Sequence, residues 1–257
     1  MKEVLVTKMD GSVEPYNEKK LIRSLRKSGA DEEIIKKIIP RVGRILHDGI
    51  ETKRLFNFVH KQLRKASPGV CCRYNLKQGI INMRLHGGYV FEKYMGRILA
   101  AKGYDIKMNQ TVQGKFVTHE IDVVAEKGKE KLMVETKHHV KPWASQPIQT
   151  ALYVYARFLD VSKIFTKPML VTNTKFSSQA TKYAKGVGLR LMGWKYPRGD
   201  SLEENIENLK LYPITILYMS RNTIEKYLEQ GVLTLQDLAK EDIPLKIRRQ
   251  IDQVLIK

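Results

Sequence analysis

The sequence predicts an α/β (α+β) multidomain protein with a small helical domain, a mixed-sheet α/β core and a small all-helical domain, in that order. Three observations support this architecture. Residues 1–86 open with two short strand patterns and continue as helical patterns. Residues 87–200 alternate helix and strand patterns, which is typical of a mixed sheet covered by helices. Residues 201–257 begin with a polar linker and then carry only helical patterns.

The first segment is predicted to be a strand pair followed by a helical bundle. The strands VLVTKM and SVEPY flank a turn. Asn17 and Asp31 are suitable N-caps for the first two helices, because short polar side chains accept hydrogen bonds from the free backbone N–H groups there. Pro40 is expected to interrupt the second helix. Thr52 is expected to cap the third.

The central segment starts after a boundary at Gly87-Gly88 and opens with a helix that Gly103 closes. Two apolar strands follow, FVTHEIDVVAE and KLMVETKHH, and the short turn at Lys127-Gly128-Lys129 predicts that they form a hairpin. A helix, a strand, a helix and a last strand complete the segment.

The positive charge is unevenly distributed. The net charge is +10 in residues 1–86, +10 in residues 87–200 and −1 in residues 201–257, giving +19 for the chain. A strong positive field attracts polyanions, and nucleic acid above all. We therefore expect DNA as a partner of the first two segments, with an acidic protein partner or a generally lysine-rich proteome as the alternative explanation of the charge.

Membrane and disulfide chemistry are not expected. No apolar run approaches the ~18–20 residues that span a bilayer, and the N-terminus lacks the apolar core of a signal peptide. The only two cysteines are the adjacent Cys71 and Cys72, which predicts buried thiols in a reduced, cytoplasmic protein.

A cluster of charges on the predicted hairpin is the strongest functional signal. Side chains alternate along a strand, so Glu135 and Lys137 share one face, Thr136 points away, and Asp122 on the neighbouring strand can face the same side. Two carboxylates ~4 Å apart repel by ~4 kcal/mol at an effective dielectric of ~20. We therefore expect Mg²⁺ or Mn²⁺ between them, with the Thr136 carbonyl as third ligand. A metal-bound water is easier to deprotonate and can attack a phosphodiester, and we expect Lys137 to orient that water.

Further residues complete this hypothesis. Glu92, on the preceding helix, is expected to make an outer metal contact, and Glu120 is a second-choice ligand. A solvated charged hairpin face is the alternative, but the strands around the cluster are otherwise apolar. His138 and His139 are expected to have a simple role at the strand end.

Asp122 followed by Glu135-x-Lys137 resembles the PD-(D/E)xK nuclease superfamily. The stretches FEKYMGRILAAKGY…HEIDVVA…VETKHH and VTNTKFSSQATKYAKGVGLRLMGW are similar to its Mrr-type restriction endonuclease branch. Gln149 and Tyr153 also fit the QxxxY element of RecB-type nucleases. The resemblance covers about residues 87–195 and implies a restriction endonuclease-like fold, with Asp122, Glu135, Lys137, Glu92 and Gln149 as catalytic residues.

The N-terminal segment resembles the ATP-cone, a regulatory nucleotide-binding module of ribonucleotide reductases and of their transcriptional repressor. The matching positions are Val6, Lys8, Asp10, Gly11, Glu14, Pro15, Tyr16 and Lys20. The resemblance implies ATP or dATP as ligand, with Lys8 and Lys20 holding phosphate and the Asp10-Gly11 turn shaping the pocket. Met9 stands where a second basic residue is usual, which predicts weak binding or a different nucleotide. The alternative is a small domain that contributes only DNA affinity.

The C-terminal segment resembles a helix-hairpin-helix module around Leu228–Leu233. Such hairpins usually present backbone N–H groups to a phosphate through a G-x-G turn, but Leu233 replaces the second glycine and the segment is nearly neutral. A packing role or a homodimer contact is favoured over DNA contact.

The sequence thus predicts a metal-dependent DNA endonuclease, similar to type IV restriction enzymes, with a regulatory nucleotide in its first domain. Two alternatives stay open: a nucleotide-responsive DNA-binding protein without cleavage activity, and a Holliday-junction-type resolvase.

Overall fold

A computed structural model describes residues 4–84 and 88–256 of the chain. The secondary structure is given in chain order. The strands are β1 (Leu5–Thr7), β2 (Val13–Pro15), β3 (Ile50–Glu51), β4 (Asp105–Gln113), β5 (Thr118–Lys127), β6 (Glu130–Lys137), β7 (Ser145–Gln146), β8 (Lys167–Thr172), β9 (Lys175–Phe176) and β10 (Arg190–Met192). The helices are α1 (Glu18–Lys27), α2 (Glu32–Gly43), α3 (Thr52–Ala66), α4 (Pro68–Tyr74), α5 (Leu76–Ile81), α6 (Tyr89–Ala101), α7 (Ile148–Asp160), α8 (Ser178–Val187), α9 (Leu202–Asn208), α10 (Arg221–Glu229), α11 (Leu235–Leu238) and α12 (Leu245–Leu255).

The chain divides into two compact units. The first contains the residues up to Leu76, Ile216–Met219 and the residues from Ala239 onward, and the second contains Lys77–Thr215 and Ser220–Leu238. Residues 201–257, which were expected to form a separate helical domain, are therefore shared between the two units. The boundary expected at Gly87 lies outside the described residues, and the compact units divide at Leu76 instead.

The first unit combines a small sheet, in the order β2-β1-β3, with a helical bundle. Strand β1 is antiparallel to β2 and parallel to β3. Helix α12 packs closely on α4 at Gly69, where a Cβ atom would lie 2.3 Å from the carbonyl oxygen of Gln253. Arg73 on α4 stabilises the packing of α12 on α4 by donating hydrogen bonds to the carbonyls of Gln253 and Val254, at 3.0 and 2.8 Å.

The predicted caps of the first two helices are confirmed, and two other local predictions were wrong. The side chains of Asn17 and Asp31 accept hydrogen bonds from the backbone N–H groups of Lys20 and Ile34. Helix α2 continues through Pro40, because its buried apolar face outweighs the cost of a missing N–H. The N-cap of α3 is Glu51 rather than Thr52, and it makes no side-chain cap.

The second unit contains a five-stranded mixed sheet in the order β10-β8-β6-β5-β4. Strands β4, β5 and β6 are antiparallel neighbours, whereas β6, β8 and β10 run parallel. Helices α7 and α8 pack against the sheet through small residues, including Ala151, Ala180 and Ala184, which lie in one core with Met133 and Leu170. The α/β class is confirmed.

The β5–β6 hairpin is confirmed, with Gly128 at φ +58° in its turn. Strand β4 was not predicted. Its sequence DIKMNQTVQ has few apolar residues, since it lies at the edge of the sheet with one side of the strand unpaired. The sheet is mixed, as predicted, because the later strands run parallel, and the expected helix end at Gly103 (φ +86°) is present.

Two other expectations can be compared with the described residues. Cys71 and Cys72 are free and buried, and burial raises the pKa of each thiol. In the described part of the chain, none of the helices combines the length and the apolar character needed to cross a bilayer.

Candidate active site

The predicted cluster forms where strands β5 and β6 separate. Their ladder ends at the pair Val123 and Val134, and the next residue on each strand toward the open end is a carboxylate, Asp122 and Glu135. Asp122 Oδ2 accepts hydrogen bonds from the Thr136 backbone N–H at 2.7 Å and from its hydroxyl at 3.2 Å. The expectation that Thr136 points away from the cluster was therefore wrong, because the separating strands let its hydroxyl reach Asp122.

The backbone of Thr136 also decides where its carbonyl points. In an extended strand the N–H and C=O groups of one residue face the same side. Since the Thr136 N–H faces Asp122, its carbonyl also faces the β5 side, beyond the last pair of the β5–β6 ladder. The direction of this carbonyl is compatible with a ligand role.

Glu135 is buried, with 7% of its side chain exposed, and both its carboxylate oxygens are paired. Oε1 lies 2.6 Å from Lys137 Nζ, as expected for side chains two residues apart on one strand face. Oε2 accepts a hydrogen bond from Arg157 on α7, whose guanidinium also donates to the Glu120 carbonyl. The Glu120 side chain itself is exposed.

The surroundings of Asp122 disfavour its ionised form. Burial raises its pKa to about 6, with a further contribution from the charge of Glu135 and a smaller one from Glu92. The hydrogen bond from the Thr136 N–H and the charge of Lys137 oppose this shift without cancelling it. Glu135, Glu92 and Lys137 are therefore each within electrostatic range of Asp122.

The arrangement fits a divalent cation with few protein ligands. Among residues 4–84 and 88–256, no group of three His, Cys, Asp or Glu side chains is placed to enclose a metal ion. Two carboxylates and one carbonyl remain a suitable set for Mg²⁺, which keeps several of its water ligands. The raised pKa of Asp122, which burial and the charge of Glu135 cause, favours a cation at this position.

Arg157 is the residue of this cluster that the sequence analysis missed. It lies four residues after Tyr153 and eight after Gln149, so the three share one face of α7. Its guanidinium lies 5.4 Å from the centre of the Tyr153 ring. Gln149 and Tyr153 are exposed, and no described hydrogen bond joins Gln149 to the carboxylates. The helical spacing from Gln149 was the available signal for Arg157.

The two histidines after Lys137 hold the end of β6. The His138 ring lies against Phe91, with centroids 5.1 Å apart, and its Nε2 is 2.9 Å from the Ile80 carbonyl. His139 Nε2 lies 2.6 Å from the amide of Gln146. Burial lowers the pKa of both rings, which favours neutral, structural histidines at this strand end.

In the first unit, the predicted phosphate-binding residues surround the β1–β2 turn. Lys8 and Lys20 converge on Glu14, at 2.6 and 3.5 Å. Gly11 has φ +82°, and Asp10 closes the turn by accepting hydrogen bonds from the backbone and hydroxyl of Ser12, at 3.1 and 2.6 Å. Two lysines on one carboxylate form a site in which an anion could replace Glu14.

In the second half of the helix-hairpin-helix-like turn, the backbone N–H groups that could donate to a phosphate already have a partner. The backbone N–H groups of Leu233 and Thr234 donate to the Asp237 carboxylate at 3.3 and 3.1 Å. Leu233 and Thr234 also pair with the segment before α10, through the N–H of Ile214 and a bridge to Pro213. The Asp237 carboxylate thus takes the two N–H donors that a phosphate would need, which favours a packing role.

Family comparisons agree with this division of the chain. The model of a restriction endonuclease domain, Mrr_cat, matches residues 84–195, and the model of the ATP cone domain matches residues 4–74. The chain is an ATP-cone protein with an Mrr-type restriction endonuclease domain. Asp122, Glu135, Lys137 and Arg157 lie in the endonuclease domain, and Lys8 lies in the cone.

An uncharacterized protein of Archaeoglobus fulgidus is 44% identical over 145 residues, which are 56% of this chain and 83% of that protein. The chain belongs to the same family as this relative. The crystal structure of AF1548, a protein of unknown function, has a TM-score of 0.55 and 38% identity, covering 65% of this chain and 94% of that one.

Two restriction endonuclease structures are more distant. MspJI in complex with a 27-mer oligonucleotide has a TM-score of 0.40 and 16% identity, covering 64% of this chain and 36% of that one. The DNA modification-dependent endonuclease AspBHI has a TM-score of 0.37 and 10% identity, covering 60% and 38%.

Proposed function

We propose that this protein is a divalent-cation-dependent DNA endonuclease whose ATP-cone binds ATP or dATP as a regulatory ligand. The observation that carries the proposal is the convergence of Asp122, Glu135 and Lys137 at the point where β5 and β6 separate, with a raised pKa at Asp122. The Mrr-type domain and the net positive charge support DNA as the substrate.

Asp122, Glu135 and the Thr136 carbonyl would hold Mg²⁺ or Mn²⁺, with Glu92 as an outer contact. When bound, the ion would supply charge at the scissile phosphate and ease deprotonation of the attacking water. Lys137 is 39% exposed and pairs with Glu135, so it is placed to donate to a phosphate oxygen when Glu135 turns to the cation. Gln149 is proposed to contact the substrate from α7.

The experiment is a plasmid-cleavage assay with the full-length protein. Wild type and Asp122→Ala are incubated with supercoiled DNA, with and without Mg²⁺ or Mn²⁺ and with and without ATP. We expect metal-dependent cleavage by wild type only, on plain, methylated, branched or single-stranded substrates. Equal products from both proteins under every condition would refute the endonuclease proposal.

One observation favours a second candidate, a nucleotide-responsive DNA-binding protein without cleavage activity. Both oxygens of Glu135 are engaged by Lys137 and Arg157, so a cation has to compete for this carboxylate. This candidate predicts DNA binding that weakens steeply with salt, changes with ATP and is unaffected by Glu135→Ala. Absence of cleavage together with these three properties would support it.

A further inference from the structure

The edge strand β4 has an irregularity directly beside the candidate active site. It pairs with β5 in two stretches, one ending at Met108 opposite Val123 and the other starting at Gln110 opposite Ile121. Asn109, between them, faces the position of Asp122 and has φ +49°. Within residues 4–84 and 88–256, Lys210 is the only other non-glycine residue with a positive φ.

This conformation has an energetic cost. A left-handed backbone costs most non-glycine residues about 1–2 kcal/mol and asparagine less, and glycine would adopt it without that cost. The bulge is closed by Gln110, whose side-chain amide donates to the Met108 carbonyl at 2.7 Å. Asparagine enters this region more readily than most residues, because its short side chain can hydrogen-bond locally, so the contact made by its side chain shows what else it contributes.

The side chain of Asn109 contacts Glu92. Its amide nitrogen lies 3.1 Å from Glu92 Oε2, and the NH₂ group must face the carboxylate because a carboxylate only accepts hydrogen bonds. Glu92 is on α6, and Asn109 lies opposite Asp122 in the register of β4 and β5. The amide therefore links Glu92 to the stretch of β4 that faces Asp122.

We propose that Asn109 is a positioning residue that holds Glu92 on the Asp122 side of the β4 irregularity, so that Glu92 can make the outer contact to a cation bound at Asp122 and Glu135. This inference rests on the proposed function. The left-handed backbone brings the amide across the interrupted ladder, and the amide restrains the Glu92 carboxylate. The side chain of Asn109 therefore acts on the metal through Glu92.

The test substitutes Asn109→Gly, which keeps the left-handed backbone and removes the amide. Thermal unfolding of the full-length protein is followed during Mg²⁺ titration without DNA. We expect unfolding of metal-free Asn109→Gly at or above the wild-type temperature, and a half-saturating Mg²⁺ concentration ~10-fold higher, the scale seen when a residue supporting a metal ligand is lost. Lys210→Gly, at the other positive φ, is the matched control and should leave the Mg²⁺ response unchanged.

Glu92→Gln and the double variant separate the possible results. If Asn109 acts through Glu92, the double variant shows the same Mg²⁺ response as Glu92→Gln alone. A wild-type Mg²⁺ response in Asn109→Gly, or additive losses in the double variant, would overturn the inference while leaving the endonuclease proposal intact. Equal Mg²⁺ responses of wild type and Asp122→Asn would overturn both.

Discussion

The pairing of Arg157 with Glu135 provides a quantitative test of the site's electrostatics. The two side chains are 12% and 7% exposed. Removing one partner of a buried ion pair costs about 3–5 kcal/mol, because the other charge is left without compensation. Lys137 remains 2.6 Å from Glu135 and retains part of that compensation, so we expect a loss of about 3 kcal/mol for Arg157→Met without metal.

Urea and thermal unfolding in metal-free buffer measure this loss. For a protein of this size, about 3 kcal/mol corresponds to a decrease of roughly 6–12 °C in the unfolding temperature. Glu135→Gln removes the buried charge, so Arg157→Met should cost much less in the Glu135→Gln background. Mg²⁺ should also stabilise Arg157→Met more than wild type, because loss of the guanidinium leaves more of the Glu135 charge uncompensated for the ion to neutralise.

Arg190→Met is the matched control for this experiment. Arg190 pairs with Glu130 at 2.8 Å, but the side chains are 35% and 25% exposed. Solvent screening limits exposed pairs to about 1 kcal/mol or less. Equal losses for Arg190→Met and Arg157→Met, or additive effects of Arg157→Met and Glu135→Gln within about 0.5 kcal/mol, would refute the reasoning.

Three further predictions concern the cluster, the cone and the C-terminal hairpin. The pKa of Asp122 is raised from 3.8 to about 6, so its stabilising contribution is full below pH 3.8 and is lost as the pH rises through 6. Asp122→Asn should therefore be about 2–3 kcal/mol more stable than wild type at pH 7.5 without metal, and equally stable at pH 3.5, in urea unfolding. Met9 is 45% exposed, so Met9→Arg should gain a phosphate contact and bind ATP or dATP ~10–100-fold more tightly in calorimetry. Asp237→Ala should lose about 1 kcal/mol of stability, with unchanged DNA affinity in fluorescence anisotropy.

Each of these predictions has a result that contradicts it. A constant stability difference between Asp122→Asn and wild type from pH 3.5 to 7.5 would show that the Asp122 carboxylate is not destabilised by its surroundings. Met9→Leu is the control for the cone, and an equal gain with Met9→Leu would exclude a phosphate contact. Tighter DNA binding by Asp237→Ala would indicate that the freed N–H groups donate hydrogen bonds to a phosphate, contrary to a packing role.

The hairpin and the charged cluster were predictable because both depend on short-range patterns. The turn at Gly128 sets the pairing of β5 and β6, and the period of two along β6 places Glu135 and Lys137 on one face. The charge of the cluster then follows from residue type alone. Local spacing therefore predicted these features correctly.

Other features depend on tertiary contacts that local patterns do not contain. Strand β4 forms because its edge position requires few apolar residues, so its polar sequence carried no strand signal. Arg157 reaches Glu135 from 22 positions away in the sequence, and only the packing of α7 on the sheet brings them together. The division of the C-terminal residues between two compact units likewise follows from the packing of α12 on α4.

The charges of the cluster indicate how a cation would enter it. Glu135 already has two cationic partners, whereas the hydrogen bonds that Asp122 accepts come from the neutral Thr136. Asp122 would therefore offer a divalent ion the carboxylate with less cationic compensation, and Glu135 could become a ligand only if Arg157 or Lys137 partly released it. Release of Lys137 costs less, because its side chain is 39% exposed and that of Arg157 is 12% exposed. Cation binding would thus free the ammonium group for the phosphate while Arg157 continues to hold Glu135 in place.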